Sequence, residues 1–423
     1  AESDETDDDD VMRDEPFKLH GGRVGGAYEP THLSPTIFHD RVRATLQTIE
    51  CEPDCECDVE DLTMTCSGAS LQSVPARIPS PLDVLVIRNA SSLYTIPRQS
   101  FRKMDRLREV RFVHCPRLET IEKFAFKGLR RLRQIAFDGC PSLTELAKGA
   151  FSGILNEEGL RIIFTKTPIR NVHSGAFRNS HKLREVSISG DSLHIHRHAF
   201  SSINELDFLT ISGVARLDQH IFTNSSRFYI VHLHDSNTEI PPNAFSSLAH
   251  VHQILIQRSR LSLVAPEAFA GISTVETLEL FDNRIGILAP HAFAGAENIG
   301  RVRVARNAIA HVDSPEAVLS AGAAQLRLED NTVACSCRLK WMGAHPDPSI
   351  VDSNHCGEEG VHRSVRAFLR FSCYSAEASL LAENLSAGPR REDPDPDCKA
   401  TVFPPASAFW LALFLVLRVV FLC

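Results

Sequence analysis

The sequence predicts an α/β solenoid of about eleven repeats, whose stacked strands form one parallel β-sheet. Spaced aliphatic residues open each repeat, and the openings recur every 22 to 28 residues between Leu82 and Ala323. A second apolar pair ending in Phe closes most repeats, as Ile121 and Phe126 do. A fixed period of this length is the sequence signature of a solenoid.

Each repeat opens with a short predicted strand. In the first repeat Leu82, Leu85 and Ile87 are apolar, and polar or smaller residues separate them. Such alternation sends one face of a strand inward and leaves the other in solvent. One repeat cannot bury its apolar face, but stacked neighbours bury a continuous core between them. We therefore expect residues 82–334 to form a single repeat domain.

Cysteine clusters flank the repeats and predict caps at residues 51–81 and 335–375. Their spacings are Cys51-x3-Cys55-x-Cys57-x8-Cys66 and Cys335-x-Cys337-x18-Cys356-x16-Cys373. Four cysteines allow three connectivities in each cap. Zinc is an alternative for the C-x-C pairs, although the paired C-x2-C knuckles of zinc ribbons are absent.

These caps, and repeats that end like Ile240-Pro-Pro-Asn-Ala-Phe245, resemble the extracellular leucine-rich repeat family. Arg338-Leu339-Lys340-Trp341 after the first cysteines of the second cluster adds to the resemblance. The resemblance implies a horseshoe with its parallel sheet on the concave face. It also implies the disulfides Cys51–Cys57, Cys55–Cys66, Cys335–Cys356 and Cys337–Cys373.

Disulfide-bonded caps require an oxidising compartment. Sequons for N-glycosylation at Asn89, Asn224 and Asn384 agree with that environment. Residues 1–50 begin with a run of acidic residues and are expected to form a largely disordered arm. No apolar leader opens the chain, so we expect a precursor's signal peptide to have been removed.

The last residues predict attachment to a membrane. A polar stalk over residues 376–405 precedes a hydrophobic segment at residues 406–423. A polar spacer followed by a terminal hydrophobic tail is typical of a glycosylphosphatidylinositol signal. Cys398 or Ser386 is the expected attachment residue. A single membrane-spanning segment is the alternative, although 18 residues interrupted by Arg418 barely suffice.

Side chains on the outer face of the sheet, which is the solvent-exposed concave face of the horseshoe, are the candidate ligand contacts. A middle patch combines Phe164, Phe208, His232, His234 and Leu255. A C-terminal patch combines Glu279, Phe281, Asp282, Arg301, Arg303, Arg306 and Arg327. Because aromatic residues and Arg are enriched among binding hot spots, we favour the C-terminal patch. A ladder of salt bridges between adjacent strands is the competing interpretation.

Two further patterns bear on chemistry. Cys115 and Cys140 fall where Asn283, Asn307 and Asn331 stand in later repeats, an interior position for which buried thiols or an inter-turn disulfide are possible. The alternating histidines of His194–His198 and His232–His234 could bind a metal only if neighbouring turns supplied further ligands. We expect ordinary exposed histidines and no cofactor.

The predicted function is cell-surface binding, as an adhesion molecule or receptor that recognises a protein ligand on the concave face. Known hydrolase, metalloprotease and phosphate-loop motifs are absent from the sequence, so we expect no enzyme. The net charge of −8 argues against a nucleic-acid partner. Any signal would pass through a transmembrane co-receptor. The alternative is a secreted protein that organises extracellular matrix.

Overall fold

The structure is a computed structural model that describes residues 49–312, 325–357 and 363–374. The predictions for the acidic arm up to residue 48, for the stalk and for the hydrophobic tail lie outside the described residues. So do the expected modifications at Asn384, Ser386 and Cys398.

One long sheet runs the length of the described solenoid. Its strands, in spatial order, are β1 (Cys55–Asp58), β2 (Thr63–Ser67), β3 (Val84–Arg88), β5 (Glu109–Val113), β7 (Gln134–Asp138), β9 (Leu155–Thr165), β11 (His181–Ile195), β13 (Glu205–Leu217), β15 (Ser225–His234), β17 (Leu248–Gln257), β19 (Thr274–Phe281), β21 (Asn298–Ala305) and β23 (Gln325–Glu329). β1 and β2 are antiparallel, and every later neighbour on this path is parallel. The predicted parallel-sheet solenoid is confirmed, and β2 adds one cap strand to the eleven strands from β3 to β23.

Shorter strands line the return side, where each turn runs back towards the start of the next. They are β4 (Thr95–Ile96), β6 (Thr120–Ile121), β8 (Glu145–Leu146), β10 (Asn171–Val172), β12 (Phe200–Ser201), β14 (Phe222–Thr223), β16 (Asn237–Ile240), β18 (Arg260–Val264), β20 (Arg284–Leu288), β22 (Ala308–Val312) and β24 (Thr332–Val333). In the described part of the chain, helices occur only in the C-terminal cap.

A stack of phenylalanine rings forms the centre of the core. Phe126 closes its repeat in the sequence, and its ring stacks on those of Phe101 and Phe151, with centroids 5.0 and 5.6 Å away. The same stacking continues through Phe177, Phe200, Phe222, Phe245, Phe269 and Phe293. All of these rings are fully buried. The closing Phe of each repeat therefore joins adjacent turns into the continuous core that the period predicts.

A ladder of buried polar side chains links the turns beside this stack. Asn307 donates from Nδ2 to the carbonyl oxygen of Leu280 at 2.8 Å, and its Oδ1 accepts the backbone N–H of Asn283 at 2.8 Å. Asn283, Asn331 and Asn354 make the same kinds of contact. The side chains satisfy backbone groups that the tight turns leave without partners, as buried polar groups require.

Cys115 and Cys140 occupy the same ladder position near the N-terminal end. Both are fully buried free thiols, with Sγ 3.7 Å from the carbonyl oxygen of Ile87 and 3.8 Å from that of Phe112, respectively. The hydrogen bond with Cys115 and burial both raise the pKa of the Cys140 thiol. The predicted interior position is confirmed, and no disulfide joins the two cysteines.

Both caps contain the disulfides that the resemblance implies. Cys51 pairs with Cys57 and Cys55 with Cys66 in the N-terminal cap. Cys335 pairs with Cys356 and Cys337 with Cys373 in the C-terminal cap. The second cap comprises a 3₁₀ turn (Cys337–Leu339), α1 (Lys340–Ala344), α2 (Ser349–Asp352), β25 (His355–Cys356), β26 (Arg363–Ser364), α3 (Val365–Phe368) and a π-helical turn (Leu369–Tyr374). Its Trp341 and Ile350 are buried and close the end of the core.

Candidate functional site

The outer face of the long sheet presents aligned rows of side chains. The central row of its C-terminal half comprises Thr210, His232, Leu255, Glu279, Arg303 and Arg327, each paired in register with the next. A second row two residues further along comprises Ser212, His234, Gln257, Phe281, Ala305 and Glu329. The placement therefore follows the repeat spacing, although ligand binding at these residues remains a prediction.

Phe164 is an exception, and its predicted position on the outer face is wrong. Its ring is only 3% exposed and stacks on Phe137 in the core, with centroids 5.2 Å apart. One residue separates Leu160 from Ile162, whereas two separate the equivalent apolar residues of the next strand, and the register shifts there. Ile163 takes the outward position in β9.

The C-terminal patch is a network of salt bridges and cation–π contacts. Arg303 lies 3.6 Å from Glu279 and 3.2 Å from Glu329. Arg303 and Arg306 both contact the Phe281 ring, with guanidinium carbons 5.5 and 4.8 Å from its centroid. Two more salt bridges complete the network, Arg306–Asp282 at 2.9 Å and Arg327–Glu329 at 3.5 Å. The salt-bridge interpretation therefore accounts for Arg303, Arg306 and Arg327. Arg301 is exposed on β21.

An exposed aromatic cluster, comprising Phe208, Tyr229 and His252, lies on β13, β15 and β17. Phe208 is 40% exposed and Tyr229 is 48% exposed, and their rings meet edge to face at 6.1 Å. The Tyr229 ring lies parallel to that of His252 with centroids 4.5 Å apart. Nδ1 of His252 is 2.8 Å from a carboxylate oxygen of Glu276. These contacts hold three aromatic rings in place at the solvent boundary.

The sequence predicted Phe208 as a member of the middle patch but did not predict Tyr229 or His252 as surface contacts. Both residues directly follow the apolar residue that opens their repeat, a position outside the two rows described above. In each strand two residues separate the opening apolar residue from the next inward one, as Tyr229 and Ile230 separate Phe228 from Val231. The first residue of the intervening pair, Tyr229 or His252, therefore faces away from the core. The signal that could have found Tyr229 is an aromatic residue immediately after an opening residue.

His232 and His234 lie on β15, the strand that carries Tyr229, with ring centroids 4.5 Å apart. Nδ1 of His234 is 2.7 Å from Asp235, which also accepts two hydrogen bonds from Arg258 at 3.0 Å. Burial and the neighbouring positive charges of His234 and Arg258 lower the pKa of His232 to about 4. The hydrogen bonds from Arg258 and His234 lower the pKa of Asp235 to about 2. Leu255 on the next strand is half-buried.

The second alternating histidine pair lies on the return side of the solenoid. His196 stacks between His173 and His194, with centroids 4.7 and 3.7 Å away. Burial and the positive charges of His194 and His173 lower the pKa of His196. Asp218 from the next turn joins the pair, and the sequence spacing did not predict this neighbour.

The sequons that the structure describes are accessible. Asn89 directly follows β3, Asn224 directly precedes β15, and both residues are exposed. Their glycosylation remains a prediction. Among residues 49–312, 325–357 and 363–374, the helices are too short or too polar to cross a membrane.

A sequence comparison agrees with the repeated turns. The sequence profile of the BspA-type leucine-rich repeat region matches residues 85–207 and 194–312. One similar solved structure is human 5T4 (Wnt-activated inhibitory factor 1, trophoblast glycoprotein), at 20% identity and a TM-score of 0.36, over 50% of this chain and 82% of that one. Another is TLR13 in its complex with ssRNA13, at 18% identity and a TM-score of 0.42, over 59% of this chain and 36% of that one. A search of curated proteins finds no match.

Proposed function

Because this chain belongs to the leucine-rich repeat family, in its BspA type, we propose that it is an extracellular protein that binds a protein ligand on the outer face of its long sheet. Solenoids of this kind offer an extended surface that several neighbouring turns share. In this proposal the aromatic cluster is the main contact surface for the ligand, and the C-terminal patch is the secondary one. This order reverses the preference that the sequence suggested.

The observation that carries the proposal is the exposure of Phe208 and Tyr229. Each leaves two fifths or more of its surface in solvent although both belong to well-packed strands. Aromatic residues dominate the energetics of protein interfaces because they bury much apolar area at low entropic cost. Contacts with His252 hold the Tyr229 ring before any ligand arrives. Preorganised side chains of this kind favour binding because less freedom is lost on association.

One partner can cover the aromatic cluster and the C-terminal patch together. Five strand spacings separate β13 from β23, about 24 Å at about 4.8 Å per spacing. A standard interface buries about 800 Å² on each partner, which corresponds to a patch roughly 28 Å across. The Arg303 and Arg306 network would then form the polar part of the interface around the aromatic rings.

The extracellular location is supported by the capping disulfides. Such bonds persist in oxidising compartments. The exposed sequons at Asn89 and Asn224 agree with this environment. We further propose that a lipid anchor replaces the hydrophobic segment 406–423 and holds the protein at the cell surface, where a co-receptor would relay any signal. The sequence pattern alone supports the anchor.

A panel of purified extracellular domains tests the binding proposal. We expect the wild-type protein to capture at least one member, and the double variant Phe208→Ser/Tyr229→Ser to lose that binding. Tyr94→Ser is the matched control, because Tyr94 is 46% exposed and lies elsewhere on the solenoid. Equal capture by the double variant and the wild type would contradict the proposed contact surface.

Treatment of expressing cells with a phosphatidylinositol-specific phospholipase tests the attachment separately. Release of the protein into the medium would support the lipid anchor. Retention in the matrix without sensitivity to the enzyme would favour the alternative, a secreted matrix-organising protein. Retention in the membrane fraction would favour a spanning segment.

A further inference from the structure

Two histidines and a carboxylate meet on the return side of the solenoid, away from the long sheet's outer face. His194 lies near the end of β11, His196 follows that strand, and Asp218 follows β13. Alternate residues of an extended chain share a face, so the two imidazole rings lie side by side. The backbone N–H of Asp218 donates to the carbonyl oxygen of Ile195 at 3.0 Å, which sets the carboxylate next to both rings.

The potential ligand atoms of these three side chains converge. Nε2 of His194 is 2.9 Å from Oδ1 of Asp218. One such atom from each residue lies within 4.8 Å of the other two. Ligand atoms around a tetrahedral zinc ion are about 3.3 to 3.5 Å apart, given bond lengths of about 2.0 to 2.1 Å. The 4.8 Å limit exceeds that value by at most about 1.5 Å, so metal binding requires the side chains to rotate and draw these atoms together.

We propose that His194, His196 and Asp218 form a binding site for one divalent first-row transition metal ion, of which zinc is the test case. Two imidazole nitrogens and a carboxylate oxygen suit zinc, nickel or copper, whereas magnesium and calcium prefer oxygen ligands alone. Three protein ligands leave one tetrahedral position for water or for a side chain of another molecule.

Neighbouring groups orient the proposed ligands. The backbone N–H of Arg197 donates to Oδ2 of Asp218 at 3.2 Å, and Oδ1 of Asn171 lies 3.1 Å from Nε2 of His196. Such outer contacts fix the direction of metal ligands and contribute to affinity. The His194 and Asp218 side chains are 20% and 24% exposed, so an ion can reach them from solvent.

Arg216 gives the proposal a sharper test, because it opposes metal binding. Its Nε is 3.3 Å from Oδ1 of Asp218, the oxygen that also contacts His194. A metal ion must share or replace this contact, and two positive charges close together repel. Removal of the Arg216 guanidinium is therefore expected to tighten metal binding, whereas removal of a ligand weakens it.

Isothermal titration of zinc into the full chain tests the site. We expect one saturable ion per chain in the wild type, at least about tenfold weaker binding in Asp218→Asn, and a larger loss in His194→Gln/His196→Gln. Arg216→Ala should bind more tightly. The double variant His232→Gln/His234→Gln is the matched control, since it removes the other alternating pair and should bind as the wild type does. Circular dichroism verifies that each variant is folded.

Three outcomes would overturn the proposal. The first is a wild-type protein that binds no zinc at micromolar concentrations, which would leave the cluster as a set of hydrogen bonds only. The second is unchanged zinc binding in both Asp218→Asn and His194→Gln/His196→Gln. The third is equal affinity for calcium and zinc, because two imidazoles should discriminate strongly between these ions.

Discussion

The ring of Tyr229 stacks on the ring of His252, with an angle of 2° between the ring planes and centroids 4.5 Å apart. Neither ring belongs to the core, and the next contact along the row joins Nδ1 of His252 to a carboxylate oxygen of Glu276 at 2.8 Å. Solenoid turns stack side chains at the strand spacing, so any two aromatic residues at one repeat position on neighbouring turns will meet. On this chain that rule places stacked aromatic rings outside the core.

Loss of one side chain of the asparagine ladder should destabilise the repeats strongly. Asn307→Ala leaves the buried N–H of Asn283 and the carbonyl of Leu280 without their partners. Each such group costs about 1–3 kcal/mol, so we expect the free energy of unfolding to fall by roughly 3–5 kcal/mol. Urea denaturation measures the change.

Asn298→Ala is the control for the ladder. Asn298 donates a comparable bond to the carbonyl oxygen of Ser273 at 3.1 Å, but it is exposed and water can replace it. We expect the free energy of unfolding to fall by less than about 1 kcal/mol in this variant. Equal destabilisation by the two variants would contradict the role assigned to burial.

The phenylalanine stack should be equally sensitive. Phe177→Ala opens a cavity between the rings of Phe151 and Phe200. Large-to-small changes of this kind in cores cost about 3–5 kcal/mol. Thermal unfolding should show a large loss for Phe177→Ala and a small one for Phe208→Ala, whose ring is partly in solvent. A mild effect of Phe177→Ala would mean that the turns do not share one core.

Acidification should weaken the fold through His232. Its pKa is about 4 in the folded chain against 6.5 ordinarily, so between these values the unfolded chain binds the proton and the folded chain does not. Stability therefore falls as the pH decreases from about 6.5 towards 4, by roughly 1–2 kcal/mol after allowance for the partial exposure of the ring. The charged groups nearby are His234, Arg258 and Asp235, while Thr210 and Leu255 on the adjacent strands are uncharged.

Comparison of variants isolates this contribution. His232→Gln should reduce the difference in unfolding free energy between pH 7 and pH 5, because Gln does not titrate. The matched control is His250→Gln, because His250 is exposed on β17. This variant should show the same difference in unfolding free energy between pH 7 and pH 5 as the wild type. An identical pH dependence of stability in His232→Gln and the wild type would show that protonation of another group causes it.

The C-terminal cap should be required for stable folding. Cys335→Ser removes the bond to Cys356. Loss of a native disulfide typically costs about 2–5 kcal/mol, so we expect reduced secretion and a lower melting temperature. Cys115→Ser is the control, since Ser236 and Ser259 fill the same ladder position in later turns. Normal secretion and melting of Cys335→Ser would contradict the capping role.

The sequence predicted the repeat register well, because the positions that face the core must be apolar and their spacing in the sequence therefore shows which residues point inward. The prediction failed at Phe164, because only one residue separates Leu160 from Ile162 and the strand register shifts there. Positions counted from Leu160 with the usual spacing are therefore displaced by one residue. The interior position of Cys115 was predictable from Asn283, since both obey the same period.

The candidate sites were harder to predict because their contacts run between turns. Whether Arg303 is free or paired depends on the directions of Glu279 and Glu329, which the repeat pattern does not specify. Asp218 meets His194 diagonally across a register shift in β11, so no count along one strand brings the two together. Surface chemistry on a solenoid depends on neighbours about two dozen residues away, and the repeat pattern does not specify which side chains stand there.

Site-specific photo-crosslinking tests the proposed binding surface most directly. A photoreactive phenylalanine analogue is placed at Tyr229 in one protein and at Tyr94 in another, and each is bound to live cells and illuminated. We expect a covalent adduct with a discrete protein from position 229 and none from position 94. Adducts that form equally from both positions, or from position 94 alone, would contradict ligand recognition by the aromatic cluster.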